Sequence, residues 1–195
     1  MGVELDVRQP IHLPAGGGEI IRDVPESRVE FLSDCDELHA TWTRFGPHRD
    51  GAAAHVHREH SDLFYVLAGE LTMLVGPERT ETPLRPGTLV LAPPLVVHGF
   101  RNAADTELRY LNFHAPGGGF AQYMRGEKPG FDSFDPPADG GRPAAEAVVV
   151  PPGTAGVLVE RDEIRIEVRD EPRPASNRVT CLYVLPDGRF LQIQA

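Results

Sequence analysis

Residues 55–62 read His55-Val56-His57-Arg58-Glu59-His60-Ser61-Asp62, three imidazoles and two carboxylates in eight positions. His55 and His57 are two apart. In a strand, side chains two apart share a face, with Cα atoms about 6.6 Å apart. Two imidazoles so placed can share one metal ion at about 2.0–2.2 Å. By itself the pair is a weak signal, since a satisfied or surface pair of histidines fits the same spacing. In an unbroken strand Glu59 would fall on the face of His55 and His57. Asp62 would join that face only if the chain bends between them. His60 is expected to be exposed.

Outward from this stretch the chain alternates short apolar runs with turn residues. Leu63 to Leu67 is rich in strand formers and stops at Gly69; Leu71 to Val75 follows at once. Further strands are expected over 29–32, 38–45, 88–92, 96–102 and 108–115. In 38–45, Leu38, Ala40 and Trp42 take one face and His39, Thr41 and Thr43 the other. Twenty glycines and 19 prolines punctuate these runs. Regular strand spacing with such punctuation predicts an all-β sandwich or barrel. One short helix is expected over 120–127, after Gly117 to Gly119.

Residues 127–145 are rich in Pro, Gly and Asp and read as a linker. It separates a barrel with N-terminal arm strands (1–126) from a β-hairpin extension (146–195). In that extension Ile164, Ile166 and Val168 alternate with charged residues, and Pro186-Asp187-Gly188 turns a second hairpin. The extension is expected to lengthen a sheet or to cover a partner subunit.

The net charge of -10 argues against nucleic acid, whose phosphates need a basic surface. Neither a secretory leader nor an apolar run of about 20 residues is legible, so no membrane span and a cytoplasmic location are expected. Cys35 and Cys181 are expected to be ordinary thiols.

The wider spacing carries more than the histidine pair. After His57, four residues precede Asp62 and six more precede Gly69. Downstream, Gly87 is followed by five residues and then Pro93, with His98 five beyond it and Asn102 four beyond that. This resembles the two-motif signature of the cupin superfamily across about residues 38–115. In that family a glycine and His-x-His lead to a Glu and a Gly, then Gly, Pro-x-Gly, His and Asn. The run Phe64-Tyr65-Val66-Leu67-Ala68-Gly69-Glu70-Leu71 looks like the small single-domain cupins labelled quercetin-dioxygenase-like.

The resemblance implies a double-stranded β-helix, or jelly-roll, barrel. It implies metal ligands at His55, His57, Asp62 and His98. Three positions depart from the pattern. Asp62 stands where the family has Glu, Leu95 stands at the glycine of Pro-x-Gly, and Gly51 lies only four before His55. A carboxylate one methylene shorter leaves three arrangements open: direct binding by Asp62, binding through a water, or substitution by Glu59 or His60.

Mixed N and O ligands suit one divalent transition metal per chain: Fe(II), Mn, Ni, Zn or Co. By parity with the ligands, Phe64, Val66, Val96 and Phe100 point inward. Phe64 and Phe100 form a pocket wall, and Tyr110, Asn112 and His114 share the polar face of the last barrel strand. Asn102 is expected to fix a turn, and Tyr65 to lie on the outer face. The function expected is a metal-dependent, oxygenase-like enzyme acting on a small organic molecule. A metal-dependent isomerase or lyase, and a non-catalytic binding protein, are the alternatives. A homodimer is expected, because cupins commonly pair and open sheet edges are available.

Overall fold

A computed structural model describes residues 9–161, 164–173 and 177–195. The part of the expected N-terminal arm before residue 9 lies outside them. In chain order the strands are β1 Ile11–His12, β2 Glu19–Val24, β3 Ser27–Asp34, β4 His39–Phe45, β5 Ser61–Ala68, β6 Leu71–Val75, β7 Thr80–Leu84, β8 Leu89–Ala92, β9 His98–Arg101 and β10 Leu108–Ala115. Helix α1 spans Phe120–Met124, and then follow β11 Val148–Val150, β12 Gly156–Glu160, β13 Arg165–Arg169, β14 Thr180–Val184 and β15 Phe190–Gln194.

The chain forms two compact units, and their boundaries differ from the division at 127–145. One unit, Gly16–Gly153, holds a seven-stranded sheet in the order β11-β8-β5-β10-β4-β3-β2 and a three-stranded sheet in the order β7-β6-β9. It takes in the expected linker and also β11, which pairs antiparallel with β8. The other unit joins the described residues up to Ala15 with Thr154–Ala195. Its sheet runs β1-β14-β15-β13-β12, so the N-terminal arm supplies an edge strand parallel to β14. An antiparallel all-β barrel is therefore what the turn spacing and alternation produce.

The barrel's interior follows from alternation. Val66 on β5, Met73 on β6, Leu84 on β7, Val90 on β8 and Leu108 on β10 form one buried apolar cluster joining the large and small sheets. Buried apolar area of this kind contributes about 25 cal/mol per Å2, the main favourable term in folding. Gly69 turns β5 into β6 with φ 75°, and a Cβ there would lie 2.2 Å from the Glu107 carbonyl oxygen, so only glycine fits. Leu95, at the Pro-x-Gly position, adopts φ 67° despite carrying a Cβ.

Three expectations are corrected. The helix stops at Met124 rather than residue 127. The strand expected from 96 begins at His98, and Val96 makes a lone bridge to Arg142. His60 is fully buried, not exposed. Tyr65 lies on the face opposite Phe64 and Val66, opposed to Leu111, and is buried there. Cys35 and Cys181 are not joined by a disulfide. Among the described residues no helix is long and apolar enough to cross a membrane.

Candidate metal centre

Strand register assembles the site. On β10, His114 lies opposite Asp62 of β5 and His39 of β4. In the same way Asn112 lies between Phe64 and Thr41, and Tyr110 between Val66 and Thr43. Directly opposed residues share a face, so these form three rows across the sheet's inner surface. His55 reaches the first row from outside a regular strand. Its N–H donates to the His98 carbonyl at 2.8 Å, and the His98 N–H returns to the His55 carbonyl at 3.0 Å. That antiparallel bridge turns both imidazoles to one side.

His55, His57, Asp62 and His98 converge there. His55 Nε2 stands 3.2 Å from His57 Nε2, and Asp62 Oδ2 stands 3.5 Å from His57 Nε2 and 3.3 Å from His98 Nε2. Two atoms bound to one ion at about 2.1 Å, at angles of about 90–110°, stand about 3.0–3.4 Å apart. The observed spacings fit one coordination shell that includes the shorter carboxylate of Asp62. Glu59, the alternative carboxylate, has its side chain exposed to solvent.

Hydrogen bonds fix which nitrogen of each imidazole faces inward. Nδ1 of His55 bonds the Ala53 carbonyl at 2.7 Å and Nδ1 of His98 bonds the Val96 carbonyl at 2.8 Å. Nδ1 of His57 bonds the Asp132 carbonyl. A carbonyl can only accept, so each Nδ1 carries the proton and each Nε2 presents a lone pair to the site. The buried Nε2 of His98 has no hydrogen-bond partner. Asp62 is oriented in its turn: Asn112 Nδ2 donates to its Oδ1 and, at 3.0 Å, to the Leu63 carbonyl.

Three lone pairs and a carboxylate facing one another need a positive charge between them. Burial alone would push the Asp62 carboxyl up, but the electrostatic pull of the facing His114 and the hydrogen-bonding reach of His57 and His98 hold it well below the usual range. Protons are poor suppliers of that charge. Burial, with the neighbouring His98 and His57, takes His55 down to about 4, and burial holds His114 well below its ordinary value. A divalent cation satisfies all four groups without a proton, so the donor set fits a metal.

The segment read as a linker holds the histidine loop. The Asp132 carboxylate accepts the N–H groups of Arg58 at 3.0 Å and Glu59 at 2.8 Å, and bonds His60 Nδ1 at 2.9 Å. Val56 and Phe134 exchange backbone hydrogen bonds at 2.9 and 3.0 Å, and the Arg58 guanidinium lies 3.8 Å over the Phe134 ring. His60 stacks on His57 at 3.9 Å between ring centres. His57, His60 and His114 form a second close group. It shares His57 with the first, and the other nitrogen of His57 is committed to Asp132. The two groups therefore do not supply separate donors for two ions.

A cavity of about 380 Å3 opens beside His55, His57 and Asp62. Of the expected pocket residues, Phe100, Tyr110, Asn112 and His114 line it. Phe64 does not; it is fully buried in the core and packs its ring 4.9 Å from that of Phe100. Asn112 serves Asp62 as well as the cavity. Thr41, Thr43, Phe120 and Phe131 line it without having been expected. The alternation of 38–45 places Thr41 and Thr43 inward, whereas nothing in the composition of 127–145 marks Phe131 or Asp132. Asn102 ties a turn, donating to the Gly46 and Thr106 carbonyls at 2.8 Å.

Residues 41–114 match the family model described as Cupin domain. No curated protein matches the chain. Among solved structures the chain is similar to an RmlC-like cupin from Shewanella frigidimarina, with 27% identity over 51% of this chain and 85% of that one and a TM-score of 0.44. It is also similar to KdgF from a Halomonas species, with 24% identity over 49% of this chain and 84% of that one and a TM-score of 0.43. The recognised segment, motif spacing and barrel agree: residues 41–114 are a cupin domain.

Proposed function

Taking that cupin domain as the premise, we propose that the protein is a metal-dependent enzyme of oxygenase type acting on a small organic molecule. One observation carries the reading. Three Nε2 lone pairs, each fixed by an Nδ1 bond to a backbone carbonyl, meet the Asp62 carboxylate beside a cavity sized for a small molecule. His55, His57, Asp62 and His98 would hold one divalent transition metal. A metal bound there supplies Lewis acidity and, where redox-active, a route for electrons between substrate and O2.

The chain's own groups do the rest. Asn112 keeps one Asp62 oxygen engaged so that the other faces the imidazoles. Phe100, Phe120 and Phe131 keep water from the inner cavity and give an apolar substrate a surface to pack on. A second reading, isomerase or lyase, is favoured by His114. Burial keeps this imidazole neutral, its Nδ1 has no hydrogen-bond partner, and it lines the cavity as a proton acceptor. Homodimerisation is part of the proposal and rests on the family resemblance and on the open sheet edges.

The deciding experiment is metal analysis of protein purified without chelators, followed by turnover assays with and without O2. Iron or manganese with O2 uptake on a phenolic or dicarbonyl compound supports the oxygenase. Zinc or nickel with anaerobic turnover supports the isomerase or lyase. No metal uptake would leave a binding protein and remove the enzyme reading.

A further inference from the structure

We infer that the substrate is an organic acid whose carboxylate is received by Arg49. The inference deepens the proposed function and rests on its assignment of the cavity as the binding site. Among the described residues the arginines mostly meet acids: Arg28 meets Asp23 and Glu30, Arg101 meets Glu81, and Arg125 meets Glu19 and Asp34. Arg49 has no such partner, although the chain carries ten more negative charges than positive ones. Arg49 lines the cavity that His55, His57 and Asp62 line, and its Nε is closed off from solvent with no hydrogen-bond partner.

A buried N–H of a permanently charged group left unpaired is costly, and a carboxylate is the acceptor that matches a guanidinium fork. The acid next to it in sequence does not answer it. Asp50 also lines the cavity, but its charge supports Arg101. Asp62 is committed to Asn112 and the imidazoles. Arg22, exposed and likewise without an acidic partner among the described residues, adds a second cation to the lining. The same cavity is lined by Phe45, Phe100 and Tyr110, in mutual ring contact at 5.5–6.1 Å. Aromatic walls beside a buried guanidinium N–H suit a ring or unsaturated chain that ends in a carboxylate.

The test compares benzoate with its neutral isostere benzamide, by calorimetric titration of the full-length protein as purified and after chelator treatment. Expected is a preference for benzoate of at least about tenfold in both forms, because Arg49 rather than the metal reads the charge. Arg49→Ala should bring the two ligands within about twofold. Arg49→Gln keeps the apolar stem and gives the same answer should the alanine variant fail to fold. A preference that survives both substitutions, one that vanishes on chelation alone, or no benzoate binding at all overturns the inference. Loss of the metal reading appears separately, as absence of metal in the purified protein with the benzoate preference intact.

Discussion

His57 and Asp132 are joined through the backbone: the imidazole Nδ1–H donates to the carbonyl oxygen of a residue 75 positions along the chain. The Asp132 side chain simultaneously takes two amides and His60 of the same loop. One residue thus sets both the course of the histidine loop and the direction of the His57 imidazole.

Replacing Asp132 tests this. Asp132→Ala leaves two N–H groups and His60 unpaired, and should cost about 2–3 kcal/mol in urea unfolding. Metal affinity should fall by about 10–100-fold, the usual effect of losing the support behind a ligand. Asp132→Asn keeps an accepting oxygen and should recover part of the stability. Burial alone would raise the Asp132 carboxyl, but the N–H groups of Glu59 and Arg58 outweigh it and hold it below its ordinary value. Its contribution is therefore complete above the ordinary carboxylate pKa and is lost as pH falls through the lowered value.

The carboxylate of the metal shell can be examined from both sides. Asp62→Ala should abolish stoichiometric metal. Asn112→Ala, which frees Asp62 to rotate, should weaken metal binding by about 10–100-fold while leaving the fold intact. Asp62→Glu should bind at least as well as wild type if the carboxylate binds directly. Indifference to both Asp62→Glu and Asp62→Ala, read by metal analysis, would take the carboxylate out of the ligand set.

Leu95 sits at φ 67°, where its Cβ costs about 1–2 kcal/mol. Its side chain is 39% exposed, so little packing offsets that cost. Leu95→Gly should therefore stabilise the protein, by about 0.5–1 kcal/mol once the greater freedom of unfolded glycine is counted. Leu95→Ala keeps the Cβ and should show no gain. Denaturant midpoints of the two variants decide it.

The buried histidines predict acid sensitivity of the chelator-treated protein. Burial brings His39, His55 and His60 down to about 4 and His114 well below its ordinary value. In the unfolded chain these groups titrate near 6.5. Between about pH 6.5 and about pH 4 the unfolded state therefore holds more protons, and stability falls as pH falls. The slope is about 1.4 kcal/mol per pH unit for each histidine within that window. Urea midpoints that stay constant from about pH 7 to about pH 5 would contradict it.

Much of the site was legible because strand parity is local. Once β5 and β10 are strands, Asp62, Asn112 and His114 must share an inward face. The spacing of His55, His57, Asp62 and His98 announced which residues meet. What stayed hidden depends on contacts between distant segments. His60 follows two exposed residues and carries no periodic signal, yet Phe131 and Asp132 bury it. Phe64 has the inward parity of Asp62, but parity does not tell a cavity wall from the packed core beneath it. The arm at Ile11 pairs with β14, a partner no local pattern could name.

The clamp over residues 131–134 has a consequence for where the molecule can be cut. A fragment trimmed to the recognised segment, residues 41–114, keeps all four ligand side chains and loses the carbonyl that orients His57. During synthesis, too, the pair at 55 and 57 leaves the ribosome long before its clamp. Metal capture by the nascent chain should therefore lag behind completion of the ligand set, until Asp132 has been made.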